Sequence, residues 1–382
     1  MDLTELLHRV VQAGASDLHL KAGNYPIMRV HGSLRLDRDS PKLDPETLRT
    51  LATALIPDAL APRFVAEHEV DFSHSVSGLG RFRCNVFKQR GTVAMALRVI
   101  PMEVGSIEEL DLPAVLTKVA EEERGLILLT GTTGSGKSTT LAALIRHINS
   151  TRAAHIMTVE DPIEYLHQDR KAIISQREVD VDTRSFGTAL RSALRQDPDV
   201  ILVGEMRDRN TIETGLTAAE TGHLVMSTVH TLDATETISR LVTVFPTHQH
   251  AQVRQQLASV LKAVISQRLL PRADGTGRCV AVEVMLNTPF VRECIRDPAR
   301  THLIVEALSI GATQYGMQTF DQSIFSLYER GLVSYDTALR AASNQDEFKL
   351  RIQGVTDIED GEVARTGRSG RTDSRHITQF EE

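Results

Sequence analysis

The sequence predicts an α/β protein in two parts, an α+β segment of about 100 residues followed by a mostly parallel sheet covered by helices. Three observations carry this reading. Before Pro101, helical and strand-like patterns mix without strict alternation. From Arg124 onward, short apolar runs are each followed by polar or helical sequence, the rhythm of repeated strand–loop–helix units. The chain has 382 residues, enough for two or three domains that each bury a core.

Composition narrows the class further. Hydrophobic residues make up 41% and charged residues 24%, as in an ordinary globular chain. No apolar run approaches the ~18 residues of a membrane span, and Met1–Arg9 lacks the pattern of a secretory signal. Cys84, Cys279 and Cys294 lie far apart, which predicts a reducing compartment, hence the cytoplasm, and no disulfide framework. A net charge of −7 with no Trp disfavours a nucleic-acid partner.

Each element follows from a local pattern. Leu3, Leu6, Leu7, Val10 and Val11 are spaced as one face of a helix. Ser16–Leu20 and Ile27–Val30 read as short strands, with His31-Gly32 as a turn. A helical stretch is expected over about Pro45–Glu67, then two longer strands, Gly80–Gln89 and Thr92–Ile100, hinged at Arg90-Gly91. Pro101–Pro113 is the expected linker. Leu126–Thr130, Ile156–Val159, Val200–Val203 and Leu224–Thr228 read as buried parallel strands. After Pro271 the chain is expected to be mainly helical, including Phe320–Arg330 and Tyr335–Ala342. From Val355 it carries seven acids and four arginines with few apolar residues, a composition that predicts disorder.

The strongest chemical signal is Gly131-Thr132-Thr133-Gly134-Ser135-Gly136-Lys137-Ser138, a full match to the phosphate-binding pattern GxxxxGK[ST]. Its glycines let backbone N–H groups face phosphate, and the following helix, which takes in Thr139, presents its positive end to the same anion. Lys137 is expected at the β- and γ-phosphates of ATP and the Ser138 hydroxyl on Mg²⁺.

Such a site also needs carboxylates at neighbouring strand ends. Asp199 precedes the strand Val200–Val203 and Glu205 follows it, ~20 Å apart, so only one can stand at the nucleotide. Ligands lie beyond the C-terminal ends of parallel strands, which selects Glu205 and leaves Asp199 as a turn residue. By the same geometry Glu160 and Asp161 emerge at the ligand edge, one acid positioning Mg²⁺ while another polarises water. His230 ends the strand that His223 begins, so the two cannot share a metal. His230 is the one that can approach the γ-phosphate; a packed histidine is the structural alternative.

Arg191 and Arg195 are spaced i, i+4 beside an apolar helical stripe. Arg81 and Arg83 alternate with Phe82 and Cys84, giving one basic strand face, and Arg98 lies on the next strand. A solvated sheet face explains these arginines; the functional alternative is charge-stabilising fingers, including fingers into a neighbouring subunit.

Taken together, the phosphate loop at 131–138, TVEDPIE at 158–164, DVILVGEMRD at 199–208 and TGHLVMSTVHT at 221–231 resemble the boxes of type IV pilus and type II secretion ATPases. The resemblance is closest to the pilus retraction (PilT/PilU) family and covers about residues 1–354. It implies a PAS-like N-terminal domain at 1–103, a RecA-like ATPase domain with C-terminal helices at 104–354 and a tail at 355–382. It further implies a homohexameric ring that turns an inner-membrane pilus platform protein from the cytoplasmic side, with a paralogous retraction ATPase as a further partner. Glu205 matches the family's catalytic acid, Glu160 and His230 its site residues, and Arg81, Arg83, Arg98, Arg191 and Arg195 its arginine-bearing regions. Pro289–Asp297 resembles the retraction signature AIRNLIRE, with Cys294 where Leu is typical. Only Cys279 lies between Gln267-Arg268 and Val282-Glu283, too little for the zinc module of many extension ATPases. The alternatives are an extension or secretion ATPase, or a catalytically weak adaptor ring beside a partner motor. The boxes look PilT-like and the extended C-terminal region PilU-like.

Overall fold

The computed structural model describes residues 2–30, 32–101 and 104–353. The tail expected over 355–382 and the boundary expected at 103/104 fall on or against residues outside that range.

The N-terminal part is a six-stranded sheet in the order β3-β2-β1-β6-β5-β4, with all neighbours antiparallel. Its strands are β1 (Ala15–Leu20), β2 (Ile27–Val30), β3 (Ser33–Leu36), β4 (Glu69–Val76), β5 (Gly80–Gln89) and β6 (Thr92–Ile100). Period-two alternation turns Phe82, Cys84 and Val86 into a core with Leu6, Leu7 and Leu48 of the covering helices. The helix expected over Pro45–Glu67 is two helices, Pro45–Leu55 and Ala61–Glu67. The break is local chemistry: Ile56 precedes Pro57 and adopts extended backbone, which ends the first helix.

The second part is a seven-stranded sheet in the order β13-β12-β7-β11-β10-β8-β9. Its strands are β7 (Gly125–Thr130), β8 (His155–Glu160), β9 (Ile173–Glu178), β10 (Val200–Val203), β11 (Leu224–Val229), β12 (Leu261–Pro271) and β13 (Arg278–Leu286). Every pairing is parallel except β12–β13. β7, β10 and β11 are buried along their whole length, as expected for strands covered on both faces. One face packs on helices Val115–Ala120 and Lys137–Thr151, the other on helices that include Arg209–Glu220 and His250–Val260. The chain after Pro271 is not mainly helical at once, because β13 returns along β12 before the C-terminal helices begin. Those helices, from Phe320–Glu329 onward, pack on Leu270, Cys279 and Ala281 of that hairpin. Within the expected linker, Ile107 and Leu112 are buried in the core of this second part. Among the described residues no helix is long and apolar enough to cross a membrane.

Candidate functional site

The parallel register brings the C-terminal ends of β7, β8, β10 and β11 to one edge of the sheet. The loop after β7 is the phosphate-loop motif. Gly131 has φ +137°, and a Cβ there would stand 2.5 Å from both the Gln267 carbonyl oxygen and Ser135 Oγ. Gly134 and Gly136 also have positive φ, the latter as N-cap of helix Lys137–Thr151. Lys137 is buried and its Nζ donates to the carbonyls of Gly131 at 2.8 Å and Thr132 at 3.0 Å. Burial holds its pKa below the usual lysine value, against the opposing pull of Glu205 and Glu164. Ser135 Oγ is buried without a partner. A loop whose three glycines all have positive φ, a helix N-terminus and an orphaned hydroxyl fit a phosphate chain.

The loop opens into a cleft of about 490 Å³. Thr133, Gly134, Gly136, Lys137, Ser138 and Thr139 form one wall. Glu160, Glu205 and His230 also line the cleft, joined by Arg98 of the N-terminal sheet. Thr139 Oγ1 hydrogen-bonds the Tyr165 hydroxyl at 2.8 Å. Glu205 lies on the cleft with its carboxylate 3.3 Å from His230 Nε2 and paired with the guanidinium of Arg207. Glu160 accepts from Thr158 Oγ1 at 2.7 Å and Gln176 Nε2 at 3.2 Å. Burial is the main cause that pushes the Glu160 carboxyl above its ordinary range. Asp199 sits at the opposite sheet edge, where its carboxylate accepts the His155 backbone N–H at 2.8 Å, as the strand argument expects. His223 is likewise remote; its imidazole bonds the Ala218 carbonyl at 2.9 Å.

The arginines divide. Arg98 lines the cleft and also pairs through Nε with Asp17 at 2.8 Å. Arg81 turns away from the cleft to Glu178, 2.9 Å from its carboxylate. Arg83 and Arg191 line two separate depressions that share Asp161. Arg195 is not on a helix with Arg191: that helix, Phe186–Ala193, is capped by Leu194. Asp197, at φ +55° before Pro198, turns the chain away, and Arg195 lines none of these cavities. Sequence reasoning missed Glu178, Gln267 and Glu283. The amide of Gln267 donates to Thr140 Oγ1 at 2.8 Å behind the phosphate loop, from more than a hundred residues away. Glu283 lies buried on β13 and accepts the Ala234 N–H at 2.9 Å. No local pattern marks such partners. Arg207 and Tyr165 stand within or beside motifs already singled out, and that proximity is the signal that could have found them.

A parallel sheet whose strand ends gather a phosphate loop, two glutamates and a histidine defines a P-loop ATPase. Over residues 89–345 the chain matches the family described as type II/IV secretion system protein, and it belongs to that family. It is 45% identical over 348 residues to the type IV pilus retraction ATPase PilT of Pseudomonas aeruginosa, covering 91% of this chain and 100% of that one. It is 41% identical to the type IV pilus ATPase PilU of the same organism, covering 92% of each chain. Among solved structures, the pilus retraction motor PilT with bound ADP superposes with TM-score 0.84 at 44% identity, covering 91% of this chain and 98% of that one. The ATPase DotB of Legionella pneumophila superposes with TM-score 0.76 at 26% identity, covering 93% and 96%.

Proposed function

We propose that this chain is an ATP-hydrolysing motor that drives type IV pilus retraction. The observation that carries the reading is the pairing of an intact phosphate loop with Glu205 across one cleft, in a chain 45% identical to a retraction ATPase over that protein's full length. ATP would lie along the loop from Gly131 through Thr139, with Lys137 on its β- and γ-phosphates. Ser138 lines the cleft and one oxygen of Glu160 is only loosely held, 3.5 Å from the Glu164 N–H, so this pair fits Mg²⁺, bound through water on the Glu160 side. Bound there, the metal would neutralise charge on the phosphates.

The side chains have separable tasks. Glu205 is the base that orients the attacking water, and His230, 3.3 Å from it, holds that carboxylate toward the γ-phosphate. Arg98 reaches the same cleft from the N-terminal part. Arg83, Arg191 and Arg195 point outward and supply charge at the cleft of a neighbouring subunit. In this reading the PAS-like domain ends at residue 103 and the RecA-like ATPase domain occupies 104–354. Six copies form a ring on the cytoplasmic face of the inner membrane, closure around ATP and its release turn the pilus platform protein, and a paralogous ATPase works alongside.

A deletion strain tests the direction of work. Surface pili should accumulate and twitching should stop, and expression of the wild-type chain should restore both. A bald cell would sink retraction and leave an extension motor.

A further inference from the structure

One buried carboxylate outside the cleft joins the two sheets. Glu178 ends β9 with its side chain 3% exposed. It accepts the Ser73 hydroxyl at 2.7 and 2.9 Å on its two oxygens, and Arg81 Nη2 at 2.9 Å. It also accepts the backbone N–H of Ile163 at 3.1 Å. The register of β4 on β5 pairs Ser73 with Arg83 and Ser75 with Arg81, so Ser73 and Arg81 share one face of the N-terminal sheet. At Ser73 and Arg81 that face is therefore an interface within the chain, while Arg83 on the same face stays exposed.

The other end of the contact is the turn that carries Glu160. β8 and β9 run parallel with Glu160 beside Glu178, and the Val179 N–H donates to the Glu160 carbonyl at 2.9 Å. The Glu178 side chain holds Ile163 three residues further on. A buried carboxylate is tolerated only while its partners stay in place, so moving Arg81 leaves an uncompensated charge against this turn. The Arg81 Nε is buried with no acceptor of its own, so the guanidinium is held by one nitrogen and not by both edges.

We propose that Glu178 is a positioning residue: through Arg81 and Ser73 it ties the Glu160–Ile163 turn to the N-terminal sheet, so the orientation of that sheet sets where the Glu160 carboxylate stands. The catalytic half of this statement rests on the role given to Glu160 above; the mechanical half does not. Swinging the N-terminal sheet away withdraws Arg81, frees the turn and displaces Glu160 from the cleft.

Hydrogen–deuterium exchange on the full chain reads the tie directly. Arg81→Ala should speed exchange of the Ile163 amide about tenfold, and Ser73→Ala, which removes no charge and so spares folding, about threefold. Turnover reads the consequence. Arg81→Ala and Glu178→Gln should each lower kcat about tenfold with KM for ATP within about twofold, and the double variant should be no worse than either single one. Arg81→Lys should recover part of the loss. Unchanged exchange at Ile163 in both Arg81→Ala and Ser73→Ala overturns the tie. Losses that multiply, or a KM that rises in Arg81→Ala alone, overturn it in favour of an arginine acting on nucleotide directly. Faster exchange with undiminished turnover would overturn the role of Glu160 while the tie itself stands.

Discussion

Replacing Gly131 by alanine should damage the phosphate loop by an amount that the geometry allows to be worked out. The backbone there has φ +137°, a region that L side chains rarely adopt. The new Cβ would also stand 2.5 Å from the Gln267 carbonyl and 2.5 Å from Ser135 Oγ. Gln267 belongs to β12, which is hydrogen-bonded on both sides, so that carbonyl cannot retreat without disturbing the sheet. Strain of about 1–2 kcal/mol and overlap of about 1–3 kcal/mol give about 2–5 kcal/mol in all. The chain can lose this as stability, or it can move the loop off β12 and lose it as nucleotide affinity. A loss of ~3 kcal/mol expressed in binding is more than a hundredfold in Kd. Urea unfolding and a fluorescence titration with labelled ADP together capture both routes. Gly134→Ala is the control for the unfolding arm, because that position shares positive φ but has no protein atom within 4 Å of the built Cβ; its cost in stability should stay near ~1 kcal/mol. A Gly131→Ala protein with unfolding midpoint and Kd both near wild type would refute the argument.

Two further perturbations test other parts of the molecule. Glu283 is buried and its carboxyl is pushed up to about 7, chiefly by burial. Its folded pKa lies above the unfolded value, so its contribution to stability is present below about pH 4.5 and is lost as pH rises through about 7. Glu283→Gln keeps an acceptor for Ala234, and should be more stable than wild type at pH 8 by up to ~3 kcal/mol yet nearly equal at pH 4. Parallel urea midpoints at both pH values would contradict this. Phe320 is 2% exposed and the Arg268 guanidinium lies 3.9 Å from its ring centroid. Phe320→Ala should cost about 3–5 kcal/mol in urea unfolding; a loss below ~1 kcal/mol would mean that the C-terminal helices do not pack on the β12–β13 hairpin as described.

How much was legible depends on what each residue answers to. The limits of β5 and β6 are those expected from their apolar alternation and the Arg90-Gly91 hinge, because burial on one face imposes that pattern. β3 is only four residues long, Ser33–Leu36, and its two leucines are exposed, so too short a pattern marks it. β9 is an edge strand with one fully buried residue, Glu178, which is polar. β13 is a strong apolar run whose partner is β12, and only the long pairing distinguishes it from a buried helix. In the site, the phosphate loop and Glu205 were legible because phosphate chemistry fixes residue type and spacing along the chain. The fate of Arg81 was not, since its partner Glu178 lies 97 positions away and belongs to another sheet. The spacing that put Arg195 beside Arg191 ran past the end of the helix at Ala193.

The proposed mechanism makes Glu205 the base of an ATPase whose nucleotide is held by the loop beside it. Turnover and nucleotide binding should therefore be measured together in purified full-length Glu205→Gln. Hydrolysis should fall at least ~100-fold while labelled ATP still binds within a few-fold of wild type. Turnover that survives the substitution would contradict the assignment.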